Sequence, residues 1–144
     1  MFSNRKKENV KSFASYQFGS KIADSLIKDC EIKGRYPNLR IMYKNKQFGM
    51  ITQERGLISL TLDGGQIIAN SGKFWVEIYD DFILKGSVFA PGIKDADETI
   101  RISDEVVIIK NKKIFAVGVA LMNGKEMKES LHGEAVKTRH RYKF

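Results

Sequence analysis

EVVIIKNKKIFAVGVAL, residues 105–121, is the stretch on which the fold turns. β-Branched residues crowd both sides of a polar KNKK run, a pattern that predicts two antiparallel strands joined by a tight turn. Upstream, FWVEIY reads as a strand, DDFILK as a short helical turn, GSVFAPGI as a further β-segment and KDADET as an acidic loop. Downstream, Asn123 is placed to cap a short helix from Lys125 to Glu129, and Gly133 resets the chain into a terminal strand. Strand, helix, hairpin, helix and strand in this order predict a small barrel with helices packed at its ends.

The first half reads differently. Residues 1–12 are polar and expected to fray. Ser20 looks like the N-cap of a helix that carries Ile22, Ala23, Leu26 and Ile27 on one stripe. LRIMYKNKQFGMIT predicts two strands joined at Lys44-Asn45-Lys46, and GLISLTLDGGQIIA two more joined at Asp63-Gly64-Gly65. KNK occurs in both halves, but the surrounding letters do not repeat, so a solenoid is not indicated. The expected class is α+β: a small N-terminal α+β domain over residues 1–72, ending in the polar NSGK stretch, and a second domain over 73–144.

Charge narrows the function classes. The 144 residues hold 25 Lys and Arg against 17 Asp and Glu, a formal net charge of +8. Such a surplus favours polyanionic partners, nucleic acid or an acidic membrane face. No apolar run approaches the ~20 residues of a membrane span. MFSNRKKENVKS has a basic start with no hydrophobic stretch behind it, so no secretory signal is expected. One cysteine permits no intrachain disulfide, and a reducing cytoplasm is the simplest compartment.

The terminal AVKTRHRYKF concentrates the charge. In a strand, alternate side chains share a face about 6.6–6.8 Å apart. Lys137, Arg139, Arg141 and Lys143 are then expected to form one cationic row, with Val136, Thr138 and Tyr142 pointing into the barrel. Such a row can track phosphates, Arg offering a fork for phosphate oxygens; equally, edge lysines serve to block unwanted strand pairing.

Taken together, Lys85-Gly86-Ser87-Val88-Phe89-Ala90-Pro91-Gly92-Ile93, Asp104-Glu105-Val106, Ala116-Val117-Gly118, Glu126-Met127 and Gly133-Glu134-Ala135-Val136 resemble, in order and spacing, the PUA pattern over about residues 73–144. PUA is the RNA-binding domain shared by pseudouridine synthases and archaeosine transglycosylases. Tyr16-Gln17-Phe18-Gly19, Gly34 to Tyr43 with Arg40, and Arg55-Gly56-Leu57-Ile58-Ser59-Leu60 resemble the domain that precedes PUA in archaeal tRNA-guanine transglycosylase, although GRYPNLR departs from that family's threonine-glycine-arginine wording. The catalytic barrel of that enzyme has no counterpart in this chain.

The resemblance implies a fold, a PUA-type β-barrel with short helices, and a partner, the tRNA acceptor stem with its single-stranded 3′ end. Carried over by position, Lys85, Gly86, Ser87, Phe89, Ala90 and Gly92 line the RNA, as do Arg139 and Arg141, with Lys137 and Lys143 in the same row. The residue types agree. Gly86 and Gly92 bracket a segment where a missing Cβ lets the backbone approach a ligand, and Pro91 stiffens it. Such backbone and phosphate contacts read the shape of a stem more than its sequence.

Catalytic chemistry is not indicated. His132 and His140 lack a partner at ligand spacing, so neither zinc nor another cofactor is implied. Asp95, Asp97 and Glu98 lack the glycine and terminal ligand of a calcium loop and read as a solvated loop. Cys30 lies between Asp29 and Glu31, which should raise its pKa and weaken it as a nucleophile. Asp63-Gly64-Gly65-Gln66 has no lysine of a phosphate loop. Two readings remain. One is a non-catalytic RNA-binding protein that serves a separate catalytic tRNA-modifying subunit. The other is a protein-interaction subunit docking through Phe48, Met50, Leu57 and Trp75.

Overall fold

Val10, Ala14 and Phe18 repeat at intervals of four, and a helix that buries such a stripe needs no other signal. In the computed structural model, which describes residues 2–52, 56–82 and 86–142, with side chains from Arg5 onward, Phe2–Phe18 is one helix, α1. The frayed start expected over residues 1–12 is therefore corrected: Val10 and Ala14 are both fully buried and hold the helix down. The chain divides into two compact units, Met1–Ile67 and Ile68–Phe144.

In the first unit α2 (Ser20–Ile27) buries the expected stripe of Ile22, Ala23, Leu26 and Ile27. Its N-cap is Gly19 rather than Ser20. Gly19 sits at φ 90°, a turn that only glycine makes without strain, and no side chain caps the helix. The strands β1 (Glu31–Arg35), β2 (Asn38–Tyr43), β3 (Lys46–Ile51) and β4 (Ile58–Leu60) form an antiparallel sheet in chain order. Leu39, Ile41, Ile51, Ile58 and Leu60 supply its buried side.

β4 lies at the edge of that sheet, where a strand would leave backbone groups unpaired. Gln17 answers this. Its Nε2 donates to the Ile58 carbonyl (2.8 Å) and its Oε1 accepts from the Ile58 N–H (2.9 Å), so one buried side chain acts as a strand partner.

The hairpin expected at Asp63-Gly64-Gly65 does not form. Leu62–Ser71 is a helix, α3, which crosses the division between the units. Thr61 Oγ1 accepts from the Gly64 N–H (3.2 Å), as an N-cap does. A Cβ on Gly64 would stand 1.8 Å from the Phe48 carbonyl oxygen, so this glycine lets the first turn of α3 press onto β3.

The second unit is a curled half-barrel. Its strands are β5 (Trp75–Ile78), β6 (Ser87–Phe89), β7 (Ile93–Ala96), β8 (Glu105–Lys110), β9 (Lys113–Ala120) and β10 (Glu134–Arg141). They run in the order β6-β10-β9-β8-β5-β7, with only the β5–β8 pair parallel. A 3-10 turn, Ala90–Gly92, carries the chain from one edge strand, β6, to the other, β7. The β8–β9 hairpin turns at Asn111 and Lys112, both at positive φ (53° and 64°) as a tight two-residue turn requires. Part of the acidic stretch read as a loop is strand β7. α4 (Gly124–Glu129) starts with a full capping box: Asn123 Oδ1 accepts from the Glu126 N–H (2.8 Å), and Glu126 Oε1 accepts from the Asn123 N–H (3.3 Å).

No helix among the described residues is long and apolar enough to cross a membrane.

Candidate nucleic-acid interface

The edge of the half-barrel is built by β6 against β10. Ser87 pairs with Lys137, Val88 with Val136 and Phe89 with Glu134. Directly paired residues share a face, and successive residues alternate along β6, while β10 carries Ala135 as an extra residue between the Glu134 and Val136 pairs. Val88 and Val136 therefore point inward, where both are fully buried. Ser87, Phe89, Glu134 and Lys137 occupy the outer face. Phe89 is 52% exposed, an unusual placement for a phenyl ring. Ser87 Oγ donates to Glu134 Oε1, and the Thr138 N–H donates to the Gly86 carbonyl (3.1 Å), which ties the start of β6 to the middle of β10. A Cβ on Gly86 would meet nothing within 4 Å, so the space beside this exposed backbone is open.

The other expected lining residues lie elsewhere. Ala90 is 3% exposed and Gly92 is buried. A Cβ on Gly92 would fall 2.4 Å from the Phe82 ring, so the absence of a side chain there admits a phenyl group of the protein itself, not a ligand. Lys85 and Lys143 lie outside the described residues, as does Arg55 of the first unit.

The single cationic row is corrected as well. Lys137 pairs with Val119 and Thr138 with Gly118, but the next pairs are His140 with Val117 and Arg141 with Ala116. One extra residue, Arg139, is inserted as a β-bulge, and a bulge reverses the alternation beyond it. His140 consequently falls on the face of Lys137, and Arg141 on the face of Val136 and Thr138. At the bulge Arg139 turns to Glu105 of β8. Its Nη1 lies 3.1 Å from Glu105 Oε2 and its Nη2 bonds Glu105 Oε1, so the pair is a two-point fork. The Glu105 side chain is fully buried and that of Arg139 is 27% exposed.

The acidic stretch is structural. Asp97 Oδ2 accepts from the Phe74 N–H (2.7 Å), and its Oδ1 accepts from both the N–H (2.9 Å) and hydroxyl (2.7 Å) of Thr99. Burial raises the Asp97 pKa, but these hydrogen bonds, helped by Lys73, outweigh it and hold the carboxyl below its ordinary value. Asp95 and Glu98 flank Lys128 of α4 at 3.5 and 3.3 Å.

Cys30 is buried, and its thiol is raised to about 11, first by burial and only secondarily by Asp29, against an opposing pull from Lys7. The direction matches the sequence expectation; the main cause is desolvation rather than the flanking acids.

Of the expected docking residues, Phe48, Met50, Leu57 and Trp75 are all half-buried, and Phe48 stacks on Tyr43 with ring centres 5.7 Å apart. Among the described side chains of the first unit, the exposed aromatics are instead Tyr16 (83%) and Tyr36 (74%), on a groove of about 700 Å³ that also includes Phe13, Leu39 and Leu57.

Comparison with known proteins bears on both units. The PUA domain family matches residues 79–142, and the patch-forming domain C2 of tRNA-guanine transglycosylase matches residues 8–74. The chain carries a PUA domain preceded in sequence by a C2 domain. Over 138 residues this C2–PUA chain is 39% identical to archaeosine synthase subunit alpha of Methanosarcina acetivorans, which matches 94% of this chain and 22% of the relative. It is 35% identical over 142 residues to the tRNA-guanine(15) transglycosylase of Thermococcus onnurineus, 90% of this chain and 24% of the relative. The chain thus spans about a quarter of the length of these curated relatives. A hypothetical protein of Pyrococcus horikoshii, solved by crystallography, superimposes with a TM-score of 0.75 at 26% identity, covering 96% of this chain and 91% of that one.

Proposed function

We propose that this C2–PUA chain is a non-catalytic RNA-binding protein that recognises a structured RNA, the tRNA acceptor stem and its 3′ end, as an accessory to tRNA modification. The observation that carries the reading is the outer face of β6 and β10 in a PUA domain, where Phe89, Lys137 and the open backbone at Gly86 lie together. An exposed phenyl ring offers a stacking surface to an unpaired base, worth about 1–3 kcal/mol. Lys137 beside it supplies a cation for the adjoining phosphate, and bare backbone at Gly86 permits close approach. Arg139 acts on this face indirectly, by fixing the bulge, rather than as one of a row of phosphate contacts. The relatives' printed activities, archaeosine synthase and tRNA-guanine transglycosylase, supply the tRNA-modification context, and the catalytic step belongs to a separate subunit in the cytoplasm. Crosslinking to cellular RNA followed by sequencing tests this directly. Enrichment of tRNA 3′ ends supports it, and recovery of no RNA opposes it.

A second reading, a protein-interaction subunit with little RNA affinity, is favoured by the exposed Tyr16 and Tyr36 around the groove of the first unit. Pull-downs with and without ribonuclease separate the two, because partners held by protein contacts survive the nuclease.

A further inference from the structure

The first unit, Met1–Ile67, contains twelve Lys and Arg against six Asp and Glu; residues 68–144 contain thirteen against eleven. The C2 half therefore holds +6 of the net +8, although the face described above lies in the other half.

Much of that surplus gathers between α1 and α2. Lys7 Nζ donates to the Lys28 carbonyl at the end of α2 (2.9 Å), and Lys11 Nζ lies 2.8 Å from Asp24 Oδ1. Residues 7 and 28, then 11 and 24, are thus neighbours, and the helices run antiparallel. A groove of about 570 Å³ opens along them, lined by Lys7, Lys11, Lys21 and Lys28 with Ser25 and Asp24. Asp24 is the one carboxylate against four ammonium groups. Lys21 and Lys28 are exposed and make no hydrogen bond or ion pair through their ammonium groups among the described residues. Seven residues of helix separate them, a rise of about 10 Å.

We infer that the α1–α2 groove is a second anion site, which takes successive phosphates of an RNA backbone through Lys7, Lys11, Lys21 and Lys28. Four cations gathered on one carboxylate repel one another, and a polyphosphate relieves that repulsion. The Lys11–Asp24 pair is solvent-exposed on both sides, 54% and 59%, and such pairs yield readily to a stronger anion. Nothing in the groove offers a base a stacking surface or a base-specific fork, so the contact is blind to sequence. Ser25, whose Oγ donates to the Lys21 carbonyl (3.3 Å), lies at the middle of the row.

This inference rests on the RNA-binding reading above, and the test separates the two. The full chain is titrated with tRNA and with an unrelated RNA stem-loop over a range of salt, as wild type, K21A/K28A and F89A/K137A. Loss of two phosphate contacts should flatten the log–log salt slope of K21A/K28A by about 1.4–1.8, equally for both RNAs. Lys21 and Lys28 are surface residues of a helix that alanine favours, so circular dichroism and the melting temperature should remain those of wild type. An unchanged slope in K21A/K28A beside weakened binding in F89A/K137A overturns the second site and leaves the PUA reading standing. Absence of wild-type binding to either RNA overturns both. Retention of the chain by phosphatidylserine vesicles that K21A/K28A abolishes, with RNA slopes unaltered, assigns the groove to a membrane surface and overturns the RNA site.

Discussion

Arg139 grips the buried carboxylate of Glu105 with two nitrogens of one guanidinium, across the strand that separates them. Removing Arg139 takes a two-point, charge-assisted contact away from a carboxylate that is fully buried. Arg139→Ala should lower stability by about 3 kcal/mol, the low end for breaking a buried pair, because part of the Arg139 side chain remains exposed. E105Q/R139Q, which removes both charges, should recover much of that loss in urea unfolding. Any RNA-binding defect of Arg139→Ala should then track the fraction unfolded and largely disappear in the double variant.

Gln17 makes a second prediction. Gln17→Ala strips both partners from Ile58 and leaves a buried N–H and C=O unpaired. A loss of about 2–3 kcal/mol is expected in denaturant unfolding. Gln17→Glu can still accept from the N–H but cannot donate to the carbonyl while ionised, so it should not restore wild-type stability at neutral pH.

These two residues also show what the sequence could and could not convey. The 105–121 hairpin, the α2 stripe and the Asn123 cap are all legible, because each is a local pattern whose letters make their own partners; the reciprocal bond from Glu126 is added by the structure. Gln17 enters the sequence only as a letter of a resembling motif, because its partner lies 41 residues away. The bulge at Arg139 has no local signature, and one inserted residue was enough to move Arg141 off the face of Lys137. Asp63-Gly64-Gly65 carries the letters of a turn, yet Gly64 serves the close approach of α3 to β3. The same limit applies to Gly92: space for a ligand and space for Phe82 look alike in sequence.

Asp97 links folding to pH. Its carboxyl is held below the ordinary value in the folded state, so ionised Asp97 favours folding above the unfolded pKa of about 3.9. That contribution is lost as pH falls through the lower folded value. Urea midpoints of wild type should therefore drop as pH falls below about 4, and Asp97→Asn should show a shallower drop together with lower stability at pH 7.

Cys30 provides a probe of local opening. With its thiol raised to about 11 and its sulfur donating to the Leu26 carbonyl (3.2 Å), little thiolate exists near neutrality. A disulfide reagent at pH 8 should label the folded chain at least on the order of 100-fold more slowly than the chain in urea. Equal rates would mean that the packing around α2 opens freely.

The most direct test of the central claim is titration of purified tRNA into the full chain at low ionic strength, repeated as salt is raised. Binding in the micromolar range or tighter is expected, with an affinity that falls linearly on a log–log plot by about 0.7–0.9 per neutralised phosphate and is weakened by Phe89→Ala and by Lys137→Ala. Absence of association at low salt, or an affinity indifferent to both substitutions, would contradict it.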